Sequence, residues 1–282
     1  MTTIILDILK DSAIDCLKLI PFLFVTYLLI EVLEHKTGEK VNKIVAGSKD
    51  FGPIIGSFLG AIPQCGFSAI ASEFYTHRVI TLGTLIAIYL STSDEMLPIL
   101  IAERCDAMLI LRILGIKVLI GIICGFVIDL LLRKRQKAHI QGDCKIHKHE
   151  DPSIVIDALK HTGSVILFIF LVTLGINAVV AIIGTENLSG IILNKPVIGE
   201  LITALIGLVP NCAGSVVITQ LYLNGAIGSG ALLSGLLAGA GVGPLMLFKT
   251  DTNKKECVII LLILYVLGAA FGILWTLLGF VL

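Results

Sequence analysis

Charge is scarce in this chain: only 15% of its 282 residues are Asp, Glu, Lys or Arg, against 56% that are hydrophobic. The mean hydropathy of +0.99 lies well outside the balance of an ordinary soluble domain and points to a bilayer. The 21 basic and 21 acidic side chains cancel, which removes any electrostatic argument for nucleic acid as a partner. The seven cysteines form no CxxC pair, so neither a disulfide framework nor a zinc finger is indicated, and most should be reduced and packed. A cleavable secretory leader is not expected either, because Asp7, Asp11 and Asp15 stand where a basic n-region would be. No GxxxxGK[ST] loop occurs, which argues against a self-contained ATP-driven pump.

What is present in quantity is apolar run. Segments 14–33, 107–132, 163–183 and 257–282 reach or approach the ~20 residues of a spanning helix. Two shorter runs are broken in the same way, by "IPQCGFS" at 62–68 and "VPNCAGS" at 209–215. Setting residue n against n+147 pairs Gly52 with Gly199, Pro63 with Pro210, Gln64 with Asn211, Cys65 with Cys212, Ser68 with Ser215 and Tyr75 with Tyr222. Identities of Gly, Pro and Cys at one offset mark a duplicated unit. The expected organisation is a first repeat over 1–134, a basic cytoplasmic linker over 135–152 and a second repeat over 153–282.

Each broken run consists of two pieces of about a dozen residues, which as helices rise ~18 Å and reach the middle of a ~30 Å hydrocarbon layer. Such a run is either one kinked span or a re-entrant hairpin with its tip at the Pro-polar-Cys sequence. Basic residues favour the hairpin. With hairpins, Lys36, Arg78, Arg133, Lys148, Lys249 and Lys254 all fall on one face, leaving roughly Lys10, Lys18, Arg104 and Lys195 on the other. The expected fold is therefore an all-α polytopic membrane protein of the cell membrane. It has two inverted repeats, each with a re-entrant hairpin and a broken helix, and both termini outside.

Non-helical backbone at membrane depth is tolerated only where protein or a watery cavity satisfies it, so the interruptions mark the expected substrate site. Cys65 and Cys212 are either small apolar fillers of a turn or soft ligands for a metal or metalloid. Gln64, Ser68, Asn211 and Ser215 offer neutral oxygens and amide donors beside them. A further interruption, "YLSTSDEMLP" at 89–98, places Thr92 and Ser93 in the site and Asp94 and Glu95 where an ionised carboxylate is expensive. Those acids either bind a cation or carry a proton, or else lie neutral or near an interface. The equivalent "LAGAGVGPLM" at 237–246 has glycines and no acid, so the site should be asymmetric. Arg112 and Lys117 are expected to snorkel outward, with pairing to Asp94 or Glu95 as the alternative. His139, Cys144, His147 and His149 sit in the linker as a solvated tract that could also bind metal.

The stretches "GAIPQCGFSAIASEFYTHRVITLGTLIAIYLSTSDEMLPI" and "GLVPNCAGSVVITQLYLNGAIGSGALLSGLLAGAGVGPLMLF" resemble the ten-transmembrane heavy-metal exporters of bacteria and archaea, of the arsenic-efflux or manganese-transporter type and related to the organoarsenical permeases. That likeness covers nearly the whole chain. It implies efflux of a toxic metal or metalloid driven by an ion gradient. H+ or Na+ is the expected coupling ion and no resident cofactor is expected, while an enzyme with Cys65 as nucleophile is disfavoured because His77 and His161 look interfacial rather than tip-facing. A homodimer is a further expectation. A proton- or sodium-coupled carrier of a small organic substrate is the alternative.

Overall fold

The computed structural model describes residues 51–62, 65–93, 96–140, 197–210, 212–250 and 253–280, with single positions among 14–24 and 163–171; for 65, 133–140, 212 and 213 the backbone alone is described. Among these residues every regular element is an α-helix. The first half contributes α1 (Gly52–Gly60), α2 (Cys65–Thr76), α3 (Leu82–Ser91), α4 (Met96–Ala102) and α5 (Ala107–Ile140). The second contributes α6 (Ile198–Gly207), α7 (Cys212–Leu223), α8 (Ser229–Ala238), α9 (Gly243–Thr250) and α10 (Lys254–Leu277). The helices from α2 to α5 start at 65, 82, 96 and 107, and those from α7 to α10 at 212, 229, 243 and 254, so every start recurs after 147 residues. Apart from those single positions, the segments 14–33 and 163–183 lie outside the described residues.

Local chemistry explains where the helices begin and stop. Pro53 and Pro244 occupy first-turn positions, where the missing N–H costs nothing. Thr81 caps α3 by accepting from the Thr84 amide at 3.1 Å. At the other end of α3, Ser91 and Thr92 turn their hydroxyls back onto the carbonyls of Ala87 and Ile88, a local alternative to the helical ladder. The matching end of α8 is made differently, by Gly239 and by Gly241 at φ +56°, a left-handed conformation that glycine adopts without strain.

Packing repeats with the same register. In each half the first helix lies along the third, and the third along the fifth. A Cβ added to Gly83 of α3 would overlap the Gly125 carbonyl of α5; one added to Gly230 of α8 would lie 2.7 Å from the Gly272 carbonyl of α10. Close approach of this kind is how helices associate in lipid, where small residues let backbones meet. The halves also exchange partners: α2 packs on α9, and α4 on α7.

Among the described residues, four stretches are long and apolar enough to cross a membrane: Leu82–Ala102, Ala107–Leu132, Ser229–Thr250 and Lys254–Leu277. The two broken stretches are mostly buried, whereas α5 and α10 expose Leu111, Leu119, Leu130, Leu262, Val266 and Leu277 outward, as lipid-facing helices do. α5 carries on to Ile140, through the first residues of the segment read above as a linker.

Fastening contacts fix which ends lie together. Arg78 pairs with Glu256 at 3.7 Å, Tyr75 donates its hydroxyl to the same carboxylate, and Thr76 meets Thr250 at 3.1 Å. These contacts join the end of α2 to the turn between α9 and α10. At the far end of α10, Thr276 donates to Glu200 at 2.6 Å and the Phe280 carbonyl accepts from Ser229 at 3.2 Å.

Candidate functional site

The interruptions converge. Ser93, just past the end of α3, donates to the Ala61 carbonyl at 2.6 Å and so ties the break in the α3–α4 span to the end of α1. Thr92 beside it is 4% exposed, and its hydroxyl is held by Ile88 at 2.8 Å. In the second half the end of α6 reaches the break after α8, where a Cβ at Gly239 would lie 3.6 Å from the Gly207 carbonyl.

Lys117 joins the two breaks. Its ammonium group donates to the carbonyl of Thr92 and, at 2.8 Å, to that of Leu236 in the last turn of α8. This corrects the expectation that Lys117 snorkels outward: the side chain is 0% exposed, while Arg112 does lie on the exposed side. The physical reason is depth. Lys117 is ten residues into α5, about 15 Å along its axis, too far from either interface for a short reach and beside carbonyls that need donors.

A second polar knot lies between α2 and α9. Ser72 contacts three oxygens: it is 2.7 Å from the Ser68 carbonyl, 2.7 Å from the Gly243 carbonyl and 2.6 Å from the Tyr89 hydroxyl. Ser68, Ser72 and Tyr89 are fully buried. In a water-free interior each of these polar groups must find a partner, so Ser72 fixes the start of α9 against the first half.

Of the residues expected in the site, the structure therefore brings Ser68, Thr92 and Ser93 into its buried interior. Ser215 is half-buried on α7, its carbonyl accepting from Thr219 at 2.7 Å. Cys65 and Cys212 begin α2 and α7, with their side chains outside the description. Gln64, Asn211, Asp94 and Glu95 lie outside the described residues, as do the side chain of His139 and residues Cys144, His147 and His149. Among the described residues no three His, Cys, Asp or Glu side chains come together as a metal group, and Cys105, Cys124 and Cys257 are thiols rather than disulfides.

Lys117 was expected here only through the alternative of pairing with Asp94 or Glu95, and Ser72 and Tyr89 were not expected. Depth along α5 was the signal for the first. The four-residue spacing of Ser68, Ser72 and Thr76, a polar stripe along one face of an apolar helix, was the signal for the second. Glu73 is a further buried acid, 4% exposed, with one carboxylate oxygen 3.3 Å from His77 Nε2 and the other without a hydrogen-bond partner.

Apolar spans on the outside and interrupted, polar-lined spans on the inside define a multi-pass helical membrane protein. Residues 1–187, about two-thirds of the chain, match the family described as "Putative, 10TM heavy-metal exporter", and the chain belongs to that family. No curated protein and no solved structure matches it.

Proposed function

We propose that this chain is a secondary-active transporter that exports a heavy metal or metalloid across the cell membrane, using an H+ or Na+ gradient. In this reading the substrate sits at the midplane between two hairpin tips and leaves chemically unchanged, with no resident cofactor. The observation that carries it is the convergence of both broken spans on Lys117, because interrupted helices from two repeats meeting in the interior are the design of secondary transporters.

The contact map supports inversion of the repeats. The end of α2 and the turn after it lie beside Thr250 and Glu256. α10 then rises ~36 Å over its 24 residues, and its far end touches the starts of α6 and α8. In this reading the second half begins on the side opposite to the first. Hairpins are supported by the same contacts: α1 starts with Gly52 against Thr84, and α2 ends only a few residues before that same turn of α3.

The substrate classes separate by ligand chemistry. A trivalent arsenical selects the thiols of Cys65 and Cys212; a hard divalent cation such as manganese selects Asp94 and Glu95 with the Gln64 and Asn211 oxygens, Ser68, Ser215, Thr92 and Ser93 completing the polar wall. The test is transport by the purified protein in sealed vesicles, with manganese, zinc, cadmium and arsenite offered in turn, with and without a pH or Na+ gradient. One gradient-dependent metal signal is expected. Cys65→Ser with Cys212→Ser should abolish arsenical transport and spare manganese, whereas Asp94→Asn with Glu95→Gln should do the reverse. A folded protein silent towards all four would leave the organic-substrate reading.

A further inference from the structure

Among the described residues, Lys117 is the one lysine that is buried, and both of the acceptors named above are leftover carbonyls of helix ends. Thr92 is the C-cap of α3, and Leu236 lies in the last turn of α8 before the ladder stops at Gly239. The final carbonyls of a helix have no amide to accept from and carry the negative end of its dipole. Two such ends, one from each half, therefore point at a single position. Transporters built from broken helices hold a coupling cation in this manner, with half-helix C-termini and unwound carbonyls facing the ion. Here that position is filled from within the chain. The cation is supplied once for both halves, since the residue 147 positions beyond Lys117 is Leu264, equally buried.

We propose that the Lys117 ammonium is a tethered cation occupying a carbonyl cradle shared by the two halves, so that Na+ does not bind there. Its consequence for coupling, that export proceeds without Na+ at this position, rests on the transporter reading; the binding chemistry does not. Removing the side chain should open a cradle that a small monovalent cation can enter. Replacing it by an apolar chain of similar length should close the cradle without restoring the charge.

Thermal unfolding of the purified protein in nanodiscs tests this, with choline chloride exchanged for NaCl, KCl or methylammonium chloride at equal ionic strength. Wild type should unfold at the same temperature in all four. K117A should unfold lower in choline and recover by roughly 5–10 °C when Na+, K+ or methylammonium is in about hundredfold excess over its Kd. K117M should be indifferent to the salt. A K117A protein unresponsive to every cation overturns the proposal, and so does a wild type stabilised by Na+ over choline. Should K117A not fold, K117R decides with the wild type: retaining a charge, it should be more stable than K117M, and the reverse order contradicts the cradle. Failure of the cradle is separable from failure of the transport reading. A protein that meets these results yet moves no metal removes only the latter; one that moves metal and fails them removes only the cradle.

Discussion

Position 117 of the outer helix α5 holds a lysine, and 147 residues later the same position of α10 holds Leu264; both are fully buried. The break after α3 is made by hydroxyls that bond back to the helix, that after α8 by glycines. Even the fastening of the outer helix to the inner ones is exchanged. In the first half Asp129 on α5 accepts from Thr81 at 2.7 Å and from the Gly83 amide at 2.8 Å. In the second half the carboxylate belongs to Glu200 on α6 and accepts from Thr276, the equivalent of Asp129. Glycine contacts that set helix spacing are kept, whereas polar groups differ. Backbone approach defines the fold and tolerates little change; polar groups need only be satisfied, by whichever side supplies the partner.

The widest break in the comparison should come from the shared glycines. Gly83→Val and Gly230→Val each drive a side chain into the facing helix, Gly125 in one case and Gly272 with Thr276 in the other. Each should cost about 3 kcal/mol or more. Thermal unfolding in detergent checks this, and a tolerated change in one half alone would end the equivalence of the two.

Exchanging the unlike pair comes next. Leu264→Lys buries a charge at mid-membrane and should cost roughly 2.5–3.5 kcal/mol. Lys117→Leu strips a donor from two buried carbonyls, at about 1–3 kcal/mol. The double exchange should not recover the loss, because the Thr92 and Leu236 carbonyls that Lys117 holds are left without its donor; full recovery would show the positions to be interchangeable.

Ser72 and Thr219 occupy equivalent positions with unequal duties. Ser72→Ala abandons contacts to Ser68, Tyr89 and Gly243 and should lower stability by about 1–3 kcal/mol. Thr219→Val loses a bond to Ser215 alone, and about 0.5–1.5 kcal/mol is expected. Equal losses in a denaturation series would deny the Ser72 knot its role.

The smallest effect concerns the turn after the second helix of each half. Gly225 sits at φ +70° and its counterpart Arg78 at φ +60°. Gly225→Ala should cost about 1 kcal/mol, the ordinary penalty for a side chain in left-handed backbone. Arg78→Gly trades relief of that strain for the half-buried pair with Glu256, and the two should offset to within about 1 kcal/mol.

Much of the fold is legible in the sequence because it depends on spacing. The 147-residue offset anticipates four helix starts, Pro and Gly mark the breaks, and the run 107–132 coincides with the span Ala107–Leu132. The direct contact between Arg78 and Glu256 agrees with placing Arg78 and Lys254 on one face. What escapes is rotation about a helix axis. α5 is apolar nearly all round, so nothing in its periodicity tells whether Lys117 faces lipid or interior; the helix ends from the other half decide it. Ser72 is similar, since its partner Gly243 is 171 residues away and becomes a neighbour only through the exchange of α2 and α9. The glycine character of the second break was visible, and so was the burial of Thr92 and Ser93 beside the first.

In the proposed arrangement two like-folded halves face opposite ways and meet at their breaks. His77 and Asn224 hold equivalent positions, 147 residues apart, at the turns that follow α2 and α7. Single cysteines placed at each, in a chain cleared of other reactive thiols, can be probed with a membrane-impermeant maleimide on intact cells and on inside-out vesicles. With the halves inverted, the cysteine at 224 should label on intact cells and the one at 77 only on inverted vesicles. Labelling of both from the same side would contradict it.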